Sequence, residues 1–212
     1  MPYFKNHNLL FIHIPKTGGS NIENFFFHYL KEKPTLLHLI SNNLELRVNN
    51  HSLQHMTYSE LYKNKEYFDI NFEKARIITV VRNPYDRIIS DLFWYKLITK
   101  NNSVHEIELE IKKYLENNLL YDNHKIPQYK FLINDEQSMM INSKIIILKC
   151  ETLNEDMKQL GFQQFISFCN HSTKKGFNKD YSQYLNKQSI KMINDYYIED
   201  FVRFKYDMIH DW

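Results

Sequence analysis

An α/β domain, with a central parallel β-sheet flanked by helices, is the fold this sequence predicts. Three observations predict it. Short runs rich in leucine and β-branched residues, Leu9–Ile14, Arg76–Val81 and Lys144–Lys149, have the length of strands. Stretches of helical periodicity separate them, and strands alternating with helices build βαβ units. The chain has 212 residues, 43% hydrophobic and 25% charged, which suits one folded unit of ordinary composition. Residues 1–212 are therefore read as a single domain, without internal repeat, linker or boundary.

Each element has its own justification. Leu9–Ile14 is apolar apart from His13 and is stopped by Pro15. Ser20 and Glu23 have capping-box spacing, and Ile22, Phe25, Phe26 and Tyr29 recur at helical intervals up to about Leu30. Leu36–Ile40, after Pro34, is expected to form a short strand. Thr57 and Glu60 form a second box opening a short helix toward Lys63. Arg76–Val81 is the clearest strand. Pro84 fits a first helical turn, and the helix is expected to run on to about Lys100. Val104 to about Asn117 is amphipathic, with its acidic residues preceding Lys112 and Lys113. After the third strand, Thr152 and Glu155 have box spacing again, and Gly161 suits the position just beyond a helix end. Ile190, Ile193, Tyr197, Phe201 and Phe204 mark a last amphipathic helix.

Composition removes several functional classes. Twenty-seven basic against 25 acidic residues leave a net charge of +2, too little to indicate a nucleic-acid partner. Cys150 and Cys169 are too few for a disulfide framework, and neither has metal-ligand spacing. No run reaches the eighteen or so apolar residues of a membrane span, and no signal-peptide pattern opens the chain. The expectation is a cytoplasmic protein, or a luminal one if the chain is cut away from an anchor. Its oligomeric state is not legible.

Two segments carry chemistry. Only four glycines occur, and two are adjacent in Pro15-Lys-Thr-Gly-Gly-Ser20, where a strand turns into a helix. Paired glycines let backbone N–H groups crowd around an anion, and a helix N-terminus adds partial positive charge. Lys16 adds a full charge, and Thr17 and Ser20 add hydroxyls. This is a loop for a phosphate, but it is not a Walker A loop, whose lysine follows its glycines. The second segment, Val81-Arg-Asn-Pro-Tyr-Asp-Arg-Ile-Ile-Ser90, repeats the strand–turn–helix arrangement. Arg82 stands at the strand's C-terminal edge, where open α/β sheets bind their ligands. Arg87 reads equally well as a site residue and as surface or an ion-pair partner of Asp86 or Asp91.

Together these motifs resemble those of the sulfotransferases that use 3′-phosphoadenosine 5′-phosphosulfate (PAPS), in the manner of the Golgi-type carbohydrate enzymes acting on heparan- or chondroitin-like chains. The resemblance extends to Gln54–Glu60, which is similar to the family's His-x-Thr-x-x-Glu segment. Asp122–Gln128 is similar to D-N-H-x-x-P-Q, Lys149–Leu153 to F-E-x-L with Lys149-Cys150 in place of the usual Arg-Phe, and Tyr196–Tyr206 to a closing helix and F-x-Y signature. It implies that Lys16, Thr17, Gly18, Gly19 and Ser20 hold the 5′-phosphosulfate in a P-loop-like turn after the first strand. Arg82 and Ser90 would hold the 3′-phosphate, and Ser172, Thr173 and Lys174 a late loop over the nucleotide. The products would be a sulfate ester, most simply of a carbohydrate hydroxyl, and adenosine 3′,5′-bisphosphate. No metal is implied.

Sulfuryl transfer needs in-line attack, a proton acceptor, and stabilisation of the leaving phosphate. Lys16 can neutralise charge on the bridging oxygen. A base working near neutral pH points to histidine. His55 matches the family's candidate base, with His51 and His124 as alternatives; His124 and Gln128 are expected to line the acceptor cleft. His13, inside a strand, reads as a core or supporting residue. Two rival readings stand beside this one: a P-loop-type kinase or nucleotide hydrolase, and a non-catalytic nucleotide-binding module of the same fold.

Overall fold

The computed structural model of the chain describes residues 1–34, 52–135, 137, 139–167 and 181–210. Its centre is a four-stranded sheet of β1 (Tyr3–Phe4), β2 (Leu9–Ile12), β3 (Arg76–Val81) and β4 (Ile145–Lys149), in that spatial order. The strands β2, β3 and β4 are parallel, with Leu10 opposite Ile77 and Ile77 opposite Ile145. The antiparallel edge strand β1 was not expected; it is two residues long and pairs Tyr3 with Leu10. Parallel pairing brings the C-terminal ends of β2, β3 and β4 to one edge, and both chemical motifs leave from there.

Alternation along the strands divides the core. Leu9, Phe11, Ile78, Val80 and Leu148 pack on one face against α1 (Gly19–Leu30) and α5 (Leu153–Gln159). Leu10, Ile12, Ile77, Val81 and Ile145 turn to the other face, toward α2 (Tyr58–Lys63) and the segment from Tyr129 to Ile133. A third apolar cluster joins α3 (Pro84–Trp94), α4 (Val104–Glu116) and α6 (Lys187–Phe204) through Ile88, Leu92, Ile107, Ile111, Ile193 and Phe201. The single α/β domain predicted from the sequence is the fold observed.

Local chemistry explains the helix ends. Thr57 and Ser103 are N-caps of complete capping boxes with Glu60 and Glu106. Gly161, at φ 94°, closes α5 with Phe162 N–H on the Met157 carbonyl and Gly161 N–H on Lys158. Three expectations are corrected. The cap of α1 is Gly18, not Ser20, because Glu23 turns its carboxylate to His13. Thr152 caps α5 without a box; its hydroxyl bonds Asp156 one residue beyond Glu155. Helix α3 stops at Trp94 instead of running to Lys100. Lys96 takes a left-handed φ of 57° and Leu97 N–H returns to the Leu92 carbonyl, an ending no glycine signalled. The expected strand Leu36–Ile40 lies outside the described residues, as do His51, Ser172, Thr173 and Lys174. Among the described residues no helix is long and apolar enough to cross a membrane.

Candidate active site

The loop after β2 turns sharply because Lys16 and Gly18 both have positive φ, 66° and 89°. Thr17 is buried and its hydroxyl donates to the Ile14 carbonyl at 2.8 Å. Its side chain therefore shapes the loop from within. Gly18 precedes the first residue of α1, and the leading N–H groups of Gly19 and Ser20 have no acceptor within their own helix. Gly19 is required sterically: a Cβ there would lie 2.7 Å from the His13 ring. The Lys16 ammonium sits 4.3 Å from the centre of the Trp94 ring, which is more than half exposed on the last turn of α3.

The second motif is tied to the first. Arg82, at the end of β3, donates from Nη1 to the Lys16 carbonyl at 3.1 Å. Arg87 is buried and, among the described residues, has no carboxylate within ion-pair distance. It donates to the carbonyls of Pro15, His124 and Ile126, joining the first motif to the D-N-H-x-x-P-Q segment. Asn83 caps α3 by accepting from Tyr85 N–H. Its own N–H goes to Glu151, whose other oxygen accepts from the Tyr206 hydroxyl. Glu151 thus links the end of β4, the closing F-x-Y signature and the second motif. Ser90 lies two turns into α3 and is half-buried.

Gln128 sits in the interior, not on the cleft wall expected of it. It is fully buried, and its amide spans the backbone of Arg82 in both directions at 2.8 Å. Buried Asp200 accepts from the N–H groups of Gln128 and Tyr129. Burial raises the Asp200 carboxyl above its ordinary value, against the pull of Arg87 and these hydrogen bonds.

Three imidazoles come together between the motifs. His55 and His13 meet edge to face at 5.4 Å, and His55 and His124 at 4.9 Å. Each Nδ1 faces a carboxylate: His13 with Glu23 at 2.5 Å, His55 with Asp122 at 2.8 Å, His124 with Asp91 at 2.5 Å. Asp91 also accepts from the Tyr114 hydroxyl. Burial pushes the His55 imidazole down to about 4, its Asp122 bond opposing and the charges of His13 and His124 adding to the fall. Burial would raise Asp122, but its bonds to His55 and Ser52 hold it below the usual carboxylate value. His55, Asp122 and His124 also offer atoms within 4.8 Å of one another, enough to hold a cation.

The family model described as "Sulfotransferase family" matches residues 3–207. The chain belongs to this family. No curated protein matches it. Membership makes it a transferase of sulfuryl groups to a hydroxyl-bearing acceptor, and accounts for a sheet edge where two strand–turn–helix motifs meet. The sequence reading of this sulfotransferase missed four acidic supports, Glu23, Asp91, Asp122 and Asp200. Of these, only Asp122 lay inside a quoted motif. Glu23, ten residues from His13, had been read as the capping partner of Ser20, and Asp91 and Asp200 stand 33 and 72 residues from His124 and Gln128, with no spacing rule to reveal them.

Proposed function

We propose that this sulfotransferase moves a sulfuryl group from PAPS to a carbohydrate hydroxyl, with Lys16 acting on the transferring group and His55 as the base. Lys16, the N–H groups of Gly18, Gly19 and Ser20, and the positive end of α1 suit the 5′-phosphosulfate. Arg82 and Ser90 suit the 3′-phosphate, with the backbone of Thr17 completing the first loop. Ser172, Thr173 and Lys174 are proposed to cover the nucleotide. His124 faces the acceptor alongside His55, and Gln128 steadies the Arg82 backbone. The exposed Trp94 ring beside Lys16 favours a sugar acceptor, since the apolar face of a pyranose packs on such rings.

The acceptor oxygen would attack sulfur in line as its proton passes to Nε2 of His55. The sulfur–oxygen bond to the 5′-phosphate would break, leaving its electron pair on the bridging oxygen beside Lys16. His55 would then return the proton to solvent. The observation that carries this reading is the Arg82–Lys16 contact at 3.1 Å, which supports one continuous anion site across both motifs.

A thermal-shift series with adenosine 3′,5′-bisphosphate, 5′-AMP and magnesium ATP tests it. A ligand of the native state alone stabilises by about 2.7 kcal/mol at a hundredfold excess over Kd. The bisphosphate should give the largest shift. A response to magnesium ATP alone would support the kinase reading instead.

A further inference from the structure

The loop that carries His124 has an unusual backbone. Tyr121, Asp122 and Asn123 have φ of 50°, 54° and 64° in succession. Side chains other than glycine enter this region at a cost, and aspartate and asparagine do so as single residues. Three in a row persist only where the surroundings hold them.

The holding contacts run to the His55 segment. Asp122 accepts from the Ser52 N–H and from the Ser52 hydroxyl, the latter at 3.0 Å, and faces His55 Nδ1 at 2.8 Å. Asn123 donates from Nδ2 to the His55 carbonyl at 2.9 Å. On the other side, the Tyr95 hydroxyl donates to the Tyr121 carbonyl at 2.8 Å, and His124 N–H closes the turn on the same carbonyl. Adjacent residues of one strained turn thus grip both the side chain and the backbone of the proposed base.

We infer that this left-handed turn makes Asp122 a positioning residue: it holds His55 in the tautomer protonated on Nδ1, leaving the Nε2 lone pair for the acceptor hydroxyl. The inference rests on His55 being the base. An ionised carboxylate can only accept, so the shared proton belongs to Nδ1. Imidazole side chains free in water prefer the opposite tautomer, in which Nε2 carries the proton and cannot take another. Among the described residues the Ser52 hydroxyl also lies 3.3 Å from Nδ1, but a hydroxyl can donate as well as accept and so fixes no tautomer; Asp122 does, and the turn delivers it.

Long-range ¹H–¹⁵N NMR of protein labelled at histidine reads the tautomer, with the His55→Ala spectrum giving the assignment. Wild-type His55 should show a protonated Nδ1 and a bare Nε2. Asp122→Asn, which keeps the shape and tolerates the left-handed φ, should move the proton to Nε2 and leave His13 and His124 unchanged. In transfer assays the same variant should lose roughly 10²–10⁴ in kcat, the range of general-base assistance, while bisphosphate affinity stays within about twofold. A wild-type proton on Nε2, or an unchanged tautomer in Asp122→Asn, overturns the inference. The wild-type result is diagnostic even if the variant does not fold. If His55→Ala keeps full turnover, the base assignment falls, and the tautomer alone still decides what Asp122 does.

Discussion

In the proposed reaction Lys16 and His55 carry distinct loads, and single substitutions separate them. Lys16 is assigned to the group being transferred, which the product nucleotide lacks. Lys16→Ala should therefore depress turnover far more than it weakens bisphosphate binding. A variant whose only defect is a matching loss of nucleotide affinity would make Lys16 a binding residue alone. Burial holds the His55 imidazole at about 4, low for a base working near neutral pH. A polyanionic nucleotide nearby favours the charged form of the ring, so its titration should move upward when adenosine 3′,5′-bisphosphate binds. NMR titration of His55 with and without the nucleotide checks this; an unmoved or lowered midpoint would place His55 away from the donor.

At the scale of elements, the loops depend on close packing that substitution should expose. A methyl group on Gly19 would meet Nε2, Cδ2 and Cε1 of His13 at 2.7–3.0 Å. That ring cannot easily retreat, because its Nδ1 is bonded to Glu23, whose carboxylate is itself held by the Gln54 amide. Gly19→Ala should cost about 1–3 kcal/mol of stability, as overpacking does, and weaken bisphosphate binding as the turn shifts. Gly161→Ala, with open space around it but φ at 94°, should cost about 1 kcal/mol and leave binding alone. Chemical denaturation and calorimetry on the pair would distinguish packing from backbone strain; equal effects on binding would defeat the assignment. The motifs, the parallel strands and most helices were legible because periodicity, capping residues and glycine placement are local signals. Helix α3 ended early, and β1 went unseen, because a left-handed lysine and a two-residue edge pairing leave no such signal. The carboxylates behind the histidines were hidden for the same reason: Glu23, Asp91 and Asp122 acquire their roles only through tertiary contact.

Across the whole molecule, stability should follow the buried histidine. His55 takes a proton near 6.5 when unfolded and only near 4 when folded. Between those values the unfolded chain holds the extra proton, so stability falls as pH drops from 6.5 toward 4, by up to about 1.4 kcal/mol per pH unit. Glu23 and Asp122, both held low, add losses as pH falls through the carboxylate range, while raised Asp200 opposes them. Thermal melts should show a shallower decline in His55→Ala than in wild type over pH 4–6.5; parallel curves would mean the imidazole is not buried as described. The central claim, that one sheet edge joins two phosphate motifs for sulfuryl transfer, has a more direct test. The protein is incubated with ³⁵S-labelled PAPS and desulfated heparin or chondroitin, and both labelled polysaccharide and released bisphosphate are quantified. The account predicts label on the polysaccharide in equal amount to bisphosphate formed, with both lost in Lys16→Ala. Label that stays on the nucleotide with every polysaccharide, while magnesium ATP supports phosphoryl transfer, would contradict it.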